Sequence, residues 1–302
     1  MIDLCGIELE HPVINGSGTF DAIAARRAFG DELEARFPFS AYVSKTITLE
    51  PRAGNPPPRL YETPAGMVNS IGLPNRGLEG FLAQDLPQLR SLQVPLIVSV
   101  MASTRDAFAT LVEGVGERDE VAAIELNVSC PNVESGLIVG ERPEETSGLL
   151  ESLRGRTAKP LIVKLTPNCA DPATVAEAAE GSGADAVSLI NTVRATGLDP
   201  RTREPWLGAT SGGLSGPAVR ALALDQVRRV AAAVSVPVIG MGGIESGADA
   251  LAFIALGATA VAVGTASFLD PLAGERVRLE LEAEGRRGIE GADEIGLAST
   301  SG

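Results

Sequence analysis

Ile124-Glu125-Leu126-Asn127-Val128-Ser129-Cys130-Pro131-Asn132 is the stretch whose reading decides the fold. It opens as a short apolar run of the kind that makes a buried strand. Within one residue it becomes a polar turn with an Asn, a hydroxyl, a thiol and a second Asn around a proline. A buried strand that runs into such a turn is how an α/β barrel presents its chemistry.

On either side of this stretch, runs rich in Val, Ile and Leu recur, each followed by a turn and a segment with helical spacing. The runs expected as strands are residues 12–15, 41–46, 96–100, 122–127, 161–166, 186–191, 236–241 and 260–263. Helical spacing follows at, for example, 174–181, 217–233 and 248–255. Eight strands alternating with helices predict an α/β fold, a (β/α)8 TIM barrel. The near-continuous apolarity of the strands fits a sheet covered on both faces. No composition shift marks a second domain, so residues 1–302 are expected to form a single barrel domain, with 299–302 frayed.

Two connections exceed what the scaffold needs. Residues 50–80, after strand 2, carry Pro51, Pro56, Pro57, Pro58, Pro64 and Pro74; residues 194–216, after strand 6, carry Trp206 and Gly212-Gly213. Loops of this length in a compact fold are commonly functional. The proline content of the first predicts a structured lid over the barrel mouth.

Composition narrows the chemistry. A net charge of -14 and a pI near 4.6 disfavour a nucleic-acid backbone as partner and suit small-molecule work. No signal-like segment and no run of the ~20 apolar residues that span a bilayer is present, which predicts a cytoplasmic protein with no membrane partner. Cys5, Cys130 and Cys169 are far apart and form no C-x-x-C, so neither a disulfide framework nor a metal or iron–sulfur site is expected. One histidine, His11, excludes an H-E-x-x-H zinc site, and its place beside Pro12 reads as a loop position.

Polar residues gather at the expected strand ends: Ser17, Lys45-Thr46, Ser99, Asn127 with Cys130, Lys164, Ile190-Asn191-Thr192, Gly242-Gly243 and Gly264-Thr265. In a barrel all of these face one mouth. The glycines after strands 7 and 8 fall where barrels hold phosphate through backbone N–H groups. Of 25 basic residues only Lys45, Lys159 and Lys164 are lysine, and two of those interrupt apolar strands. A buried ammonium there calls for an anionic or electron-rich ligand. Cys130 can be read as an inert core thiol, a nucleophile or a general acid–base group. Without a second histidine to activate it as a nucleophile, the acid–base reading is favoured.

These motifs resemble the class 1 dihydroorotate dehydrogenases. Asn127-Val-Ser-Cys130-Pro-Asn132 is similar to their catalytic motif, and Lys45-Thr46 with the loop through Arg59 to their second strand. The run from Glu62 through Asn69-Ser70-Ile71-Gly72-Leu73 is similar to their substrate loop. Ile190-Asn191-Thr192, the run from Ser211 to Pro217 and Pro237 to Ile244 complete the set. The resemblance covers nearly the whole chain and implies an FMN enzyme that oxidises dihydroorotate to orotate in pyrimidine biosynthesis.

The roles that follow are those the resemblance implies. Cys130 would take a proton from C5 while hydride leaves C6 for the flavin, and Lys45 would lie between flavin and substrate. Asn69, Ser70, Ile71, Gly72, Leu73, Asn127, Asn132, Asn191 and Thr192 would hold the substrate. Ser17, Lys45, Thr46, Ser99, Asn127, Lys164, Ile190, Gly216, Gly242, Gly243, Gly264 and Thr265 would hold FMN, with Lys164 countering charge on the reduced ring. The pattern looks most like the B-type. That implies a homodimer and a separate electron-transfer subunit with FAD and a [2Fe–2S] cluster, a heterotetramer that passes electrons to NAD. Two departures stand out. Ser99 replaces an Asn, so that a side-chain hydrogen bond to flavin is shortened or water-mediated, and Pro74-Asn75-Arg76 replaces Gln-Asn-Pro. The alternatives are another FMN barrel of the dihydropyrimidine or dihydrouridine type, and a non-catalytic FMN electron carrier.

Overall fold

The structure, a computed structural model, describes residues 1–297 apart from residue 31, residues 34–35 and residues 130–137, with side chains described to residue 285. Cys130, Asn132 and the terminal residues 299–302 therefore lie outside the described residues.

The strands in chain order are β1 (Ile2–Leu4), β2 (Ile7–Leu9), β3 (Val13–Asn15), β4 (Tyr42–Val43), β5 (Leu60–Thr63), β6 (Gly66–Asn69) and β7 (Leu96–Val100). They continue with β8 (Val121–Asn127), β9 (Leu161–Lys164), β10 (Ala186–Leu189), β11 (Val193–Ala195), β12 (Gly212–Ser215), β13 (Val238–Met241) and β14 (Ala260–Val263). Eight of them form one sheet in the order β3-β14-β13-β10-β9-β8-β7-β4, all paired in parallel. Each parity of these strands meets a different core. Val98, Ile124, Leu126, Val163, Val187 and Val261 belong to the large cluster with Leu111, Leu150, Val175, Val227 and Phe253 of the surrounding helices. Their alternates Ile97, Ala123, Ile162, Ala186, Ile239 and Ala260 form a second cluster that fills the barrel interior. Both faces being apolar is why the strand sequences show almost no alternation.

Helix starts follow local chemistry. Thr104 accepts from Ala107 N at 3.2 Å to begin Arg105–Gly116, and Asp171 accepts from Ala173 N at 3.0 Å ahead of Pro172–Gly181. Ser246 and Asp249 form a reciprocal capping box at Gly247–Ala255.

The sheet ladder does not run from β4 to β3. A side chain completes the ring instead: Asn15 Nδ2 donates to Val43 O and Asn15 Oδ1 accepts from Val43 N, both at 2.8 Å. The primary amide thus imitates the two-bond pairing of a peptide group. Ser40 N donates to Val13 O at 3.0 Å below it.

Two features lie beyond the sequence expectations. The N-terminal hairpin β1–β2 turns through Cys5 (φ 46°) and Gly6 (φ 85°), the pair of positive φ values that a type I′ turn needs. Its Leu4, Ile7 and Leu9 join the interior cluster and stopper the barrel's lower end. At the other end the two long connections pair with each other. β5 and β6, from the connection after β4, and β11 and β12, from the one after β10, make one antiparallel sheet in the order β11-β12-β6-β5.

Candidate functional site

The carboxyl ends of the barrel strands and the β11-β12-β6-β5 sheet enclose a cavity of about 680 Å³. Most of the site residues expected from sequence line it. Lys45, Asn69, Ser70, Ile71, Gly72, Leu73, Asn127, Asn191 and Thr192 do so from the proposed substrate set. From the proposed flavin set come Ser17, Thr46, Lys164, Ile190, Gly216, Gly242, Gly243, Gly264 and Thr265. Cys130 follows directly on Ser129, itself a lining residue, and Asn132 comes two residues after that, but both lie outside the described residues.

Ser99, also expected at the flavin, stands one layer behind the lining residues. It is fully buried and absent from the cavity lining. Its hydroxyl instead meets Thr46 Oγ1 at 2.9 Å, while its N–H donates to Ser44 Oγ at 3.1 Å. Thr46 Oγ1 in turn meets Ser17 Oγ at 3.0 Å, a hydroxyl relay across three strand ends.

The asparagines hold one another in place. Asn191 Nδ2 donates to Ser129 Oγ at 2.9 Å and to Asn127 Oδ1 at 3.4 Å, and Thr192 N donates to Asn191 Oδ1 at 2.8 Å. Asn69, at the end of β6, donates to Gly213 O at 3.2 Å, which ties the first long connection to the second.

The loop of residues 70–76 is pinned by Asn75, within the stretch that departs from the family wording. Asn75 Nδ2 donates to Leu73 O at 2.8 Å and Thr48 Oγ1 at 2.9 Å, while its Oδ1 accepts from Gly77 N at 2.8 Å. Its backbone exchanges two 3.0 Å hydrogen bonds with Arg52. Asn55 Nδ2 donates to Ser70 Oγ at 2.9 Å and closes the same loop from the other side.

One wall is backbone. Gly216 and Gly243 have φ of 93° and 77°, and a Cβ on Gly243 would sit 2.8 Å from Gly216 O. The loops after β12 and β13 approach so closely that only glycine fits, and both glycines line the cavity.

The floor is charged. Lys164, from the end of β9, is 6% exposed and lines the cavity. Its Nζ lies 3.9 Å from Oε1 of Glu125, a buried residue of β8 that the sequence reading passed over. Ser188 Oγ donates to the other oxygen, Oε2, at 3.1 Å. A signal was present: Glu125 stands two residues before Asn127, hence on the same inward face of its strand. Asn15 was passed over for the opposite reason, because nothing in sequence distinguishes a strand-ending Asn from one that pairs with a distant backbone.

The other two thiols behave as structural residues. Burial pushes Cys5 up to about 12, with Asp185 and Asp3 adding to it, and burial likewise raises Cys169. Neither is a thiolate at neutral pH.

The family model "Dihydroorotate dehydrogenase" matches residues 1–284. The chain is 45% identical over 285 residues to the protein of Geobacter metallireducens named dihydroorotate dehydrogenase B (NAD(+)), catalytic subunit, covering 93% of this chain and 91% of that one. The same name is carried by a protein of Desulforudis audaxviator, 46% identical over 285 residues, and one of Trichlorobacter lovleyi, 44% identical over 285, each with the same 93% and 91% coverage. With a family match over nearly all of its length and relatives at this identity, the chain belongs to the dihydroorotate dehydrogenase family.

Proposed function

We propose that this chain is an FMN-dependent oxidoreductase that converts dihydroorotate to orotate in pyrimidine biosynthesis. The observation that carries the reading is that one cavity joins a buried lysine floor, a glycine-backbone wall and four side-chain amides. The residues present fit FMN. Gly216, Gly242-Gly243 and Gly264-Thr265 would hold its phosphate and ribityl chain through backbone groups. Lys164 would face the ring, with Ser17, Lys45, Thr46, Asn127 and Ile190 around it; Ser99 would support Thr46 from behind. When bound, FMN supplies the acceptor for the hydride that leaves C6 of the substrate.

The chain's own residues do the rest. Asn69, Asn127 and Asn191 offer donors and acceptors that suit a ring of amides with a carboxylate. Because Asn191 is already held by Ser129 and Thr192, orienting the substrate needs little further ordering. Ser70 to Leu73 would close over the substrate, with Thr192 and Asn132 completing its contacts. Lys45 would stand between the two ligands. Cys130 would accept the C5 proton, so that proton and hydride leave adjacent carbons and the ring double bond of orotate forms.

Electrons would pass to NAD through a partner subunit that carries FAD and a [2Fe–2S] cluster, as the name of the relatives supports. The three cysteines are too dispersed to bind a cluster in this chain. A homodimer of it within a heterotetramer, in the cytoplasm, completes the proposal. No helix among the described residues is long and apolar enough to cross a membrane.

Anaerobic mixing with dihydroorotate tests the central claim. The flavin should bleach, and Cys130→Ala should slow bleaching by roughly 10²–10⁴-fold with FMN still bound. Bleaching at an unchanged rate in Cys130→Ala would instead make the thiol a bystander. A flavin that stays oxidised in the native chain would remove the reading altogether.

A further inference from the structure

The segment that carries Asn191 and Thr192 runs into an edge strand. β11 stands at the end of the mouth sheet, with β12 its one strand neighbour among the described residues. The open edge of a strand leaves N–H and C=O groups without partners. Here a side chain covers them. Asn168 Oδ1 accepts from Arg194 N at 2.9 Å, and Asn168 Nδ2 donates to Thr192 O at 3.1 Å. These two backbone groups flank Val193 as the groups bound by a neighbouring strand would, so the amide stands in for that strand.

The arm that reaches β11 is itself braced. Asn168 lies in the turn after β9, where its N–H and its Nδ2 both donate to Thr166 Oγ1, at 3.2 and 3.1 Å. From behind, the helix Arg220–Ala233 holds the same turn. Its buried Gln226 donates to Pro167 O at 3.4 Å, and its Arg229 bridges to Asp171 at 2.7 Å. Asn191 N also donates to Leu165 O at 3.1 Å, so residues 191–194 are tied to the β9 end at three points, two of them through Asn168. What is tied there faces the cavity. Asn191 and Thr192 line it, and the Thr192 side chain packs flat against the backbone of Gly213, whose carbonyl accepts from Asn69. Residues assigned to the flavin are held by other means: Ile190 N donates to Met241 O at 2.9 Å, and Lys164 sits within the β9 ladder. Asn168 itself does not line the cavity.

We infer that Asn168 is a positioning residue for the substrate, gripping the open edge of β11 and so setting Asn191, Thr192 and Asn69 in place without touching the ligand. The inference rests on the proposed function for the identity of that ligand. Groups that are ordered before binding lose little freedom when the ligand arrives. Releasing them should therefore weaken capture of substrate and product far more than it slows the reaction of bound substrate.

The test is titration of the FMN-loaded protein with orotate, followed in the flavin absorbance, beside measurements of flavin content and Tm. Asn168→Ala should bind orotate about tenfold more weakly with its flavin content unchanged. Its KM for dihydroorotate should rise by a similar factor, while the limiting rate of anaerobic flavin reduction changes far less. Asn168→Asp keeps an acceptor for Arg194 N and removes only the donor to Thr192 O. Its affinity should fall between native and Asn168→Ala, and it serves if the Ala variant does not fold. A lower Tm with orotate affinity as in the native protein would make Asn168 a purely structural residue and overturn the inference. Loss of FMN in step with orotate would overturn it too, since the strand edge would then serve both ligands. Native protein that fails to bind orotate would instead remove the proposed function and this inference with it, a result the native titration alone reveals.

Discussion

Asn15 does with one side chain what a peptide group does elsewhere in the ring. Its two 2.8 Å bonds to Val43 satisfy a buried N–H and a buried C=O that have no strand neighbour on that side. Replacing it with Ala strands both. A buried polar group without its partner costs ~1–3 kcal/mol, so Asn15→Ala should lower stability by about 2–4 kcal/mol, measured as a fall in the urea midpoint. Asn15→Asp should not rescue it, because a carboxylate cannot donate to Val43 O. A loss under ~1 kcal/mol would mean that the seam is held elsewhere, by Ser40 for instance. At this scale the sequence was informative wherever residue type alone carries the meaning. Lys164 stood out as a rare lysine in an apolar run, and Asn127 and Asn191 as rare amides at strand ends. Asn15, Glu125 and the inward burial of Ser99 depend on what faces them across the barrel, which no local pattern encodes.

Among the elements, the barrel strands were legible because each buries two faces and so reads as an unbroken apolar run. The antiparallel sheet at the mouth was not. Leu60-Tyr-Glu-Thr63 and Gly212-Gly-Leu-Ser215 bury no full face, and the sheet forms only where Gly66–Asn69 pairs with Gly212–Ser215, well over a hundred residues away. The β1–β2 hairpin did carry a signal, the alternation Ile2-Asp3-Leu4 and Ile7-Glu8-Leu9 about a two-residue turn. The loop of residues 70–76, proposed to close over the substrate, shows what an element-level defect would do. Asn75 fastens residues 70–76 to both Thr48 and Arg52, yet it is absent from the main cavity's lining. Asn75→Ala should therefore raise KM for dihydroorotate roughly tenfold, about 1.4 kcal/mol, through lost ordering, with FMN content unchanged. Loss of FMN together with substrate affinity would show that the loop also braces the flavin.

The whole molecule has an acid limit that one ring helps to set. His11 lies where the N-terminal hairpin meets the barrel; its Nδ1 accepts from Val13 N at 3.3 Å, so the ring is held neutral. Burial first, and Arg278 second, lower its pKa from 6.5 to about 4. The unfolded chain therefore binds a proton below pH 6.5 that the folded chain refuses until about pH 4. This part of the stability is intact above pH 6.5, drains as the pH falls toward 4, and changes no further below that. His11→Asn keeps a neutral acceptor and should flatten the decline in Tm between pH 7 and 4 relative to the native chain. Parallel curves would show that carboxylates account for all of it. The same lower end has a second consequence. With Leu4, Ile7 and Leu9 lodged inside, the barrel is a vessel with a floor, and contents of such a vessel leave in the reverse of the order in which they entered. Lys164 lies at the bottom and the Asn69–Leu73 loop at the rim. On the proposed placement the flavin would be first in and last out, and a small molecule could come and go many times above it without disturbing it.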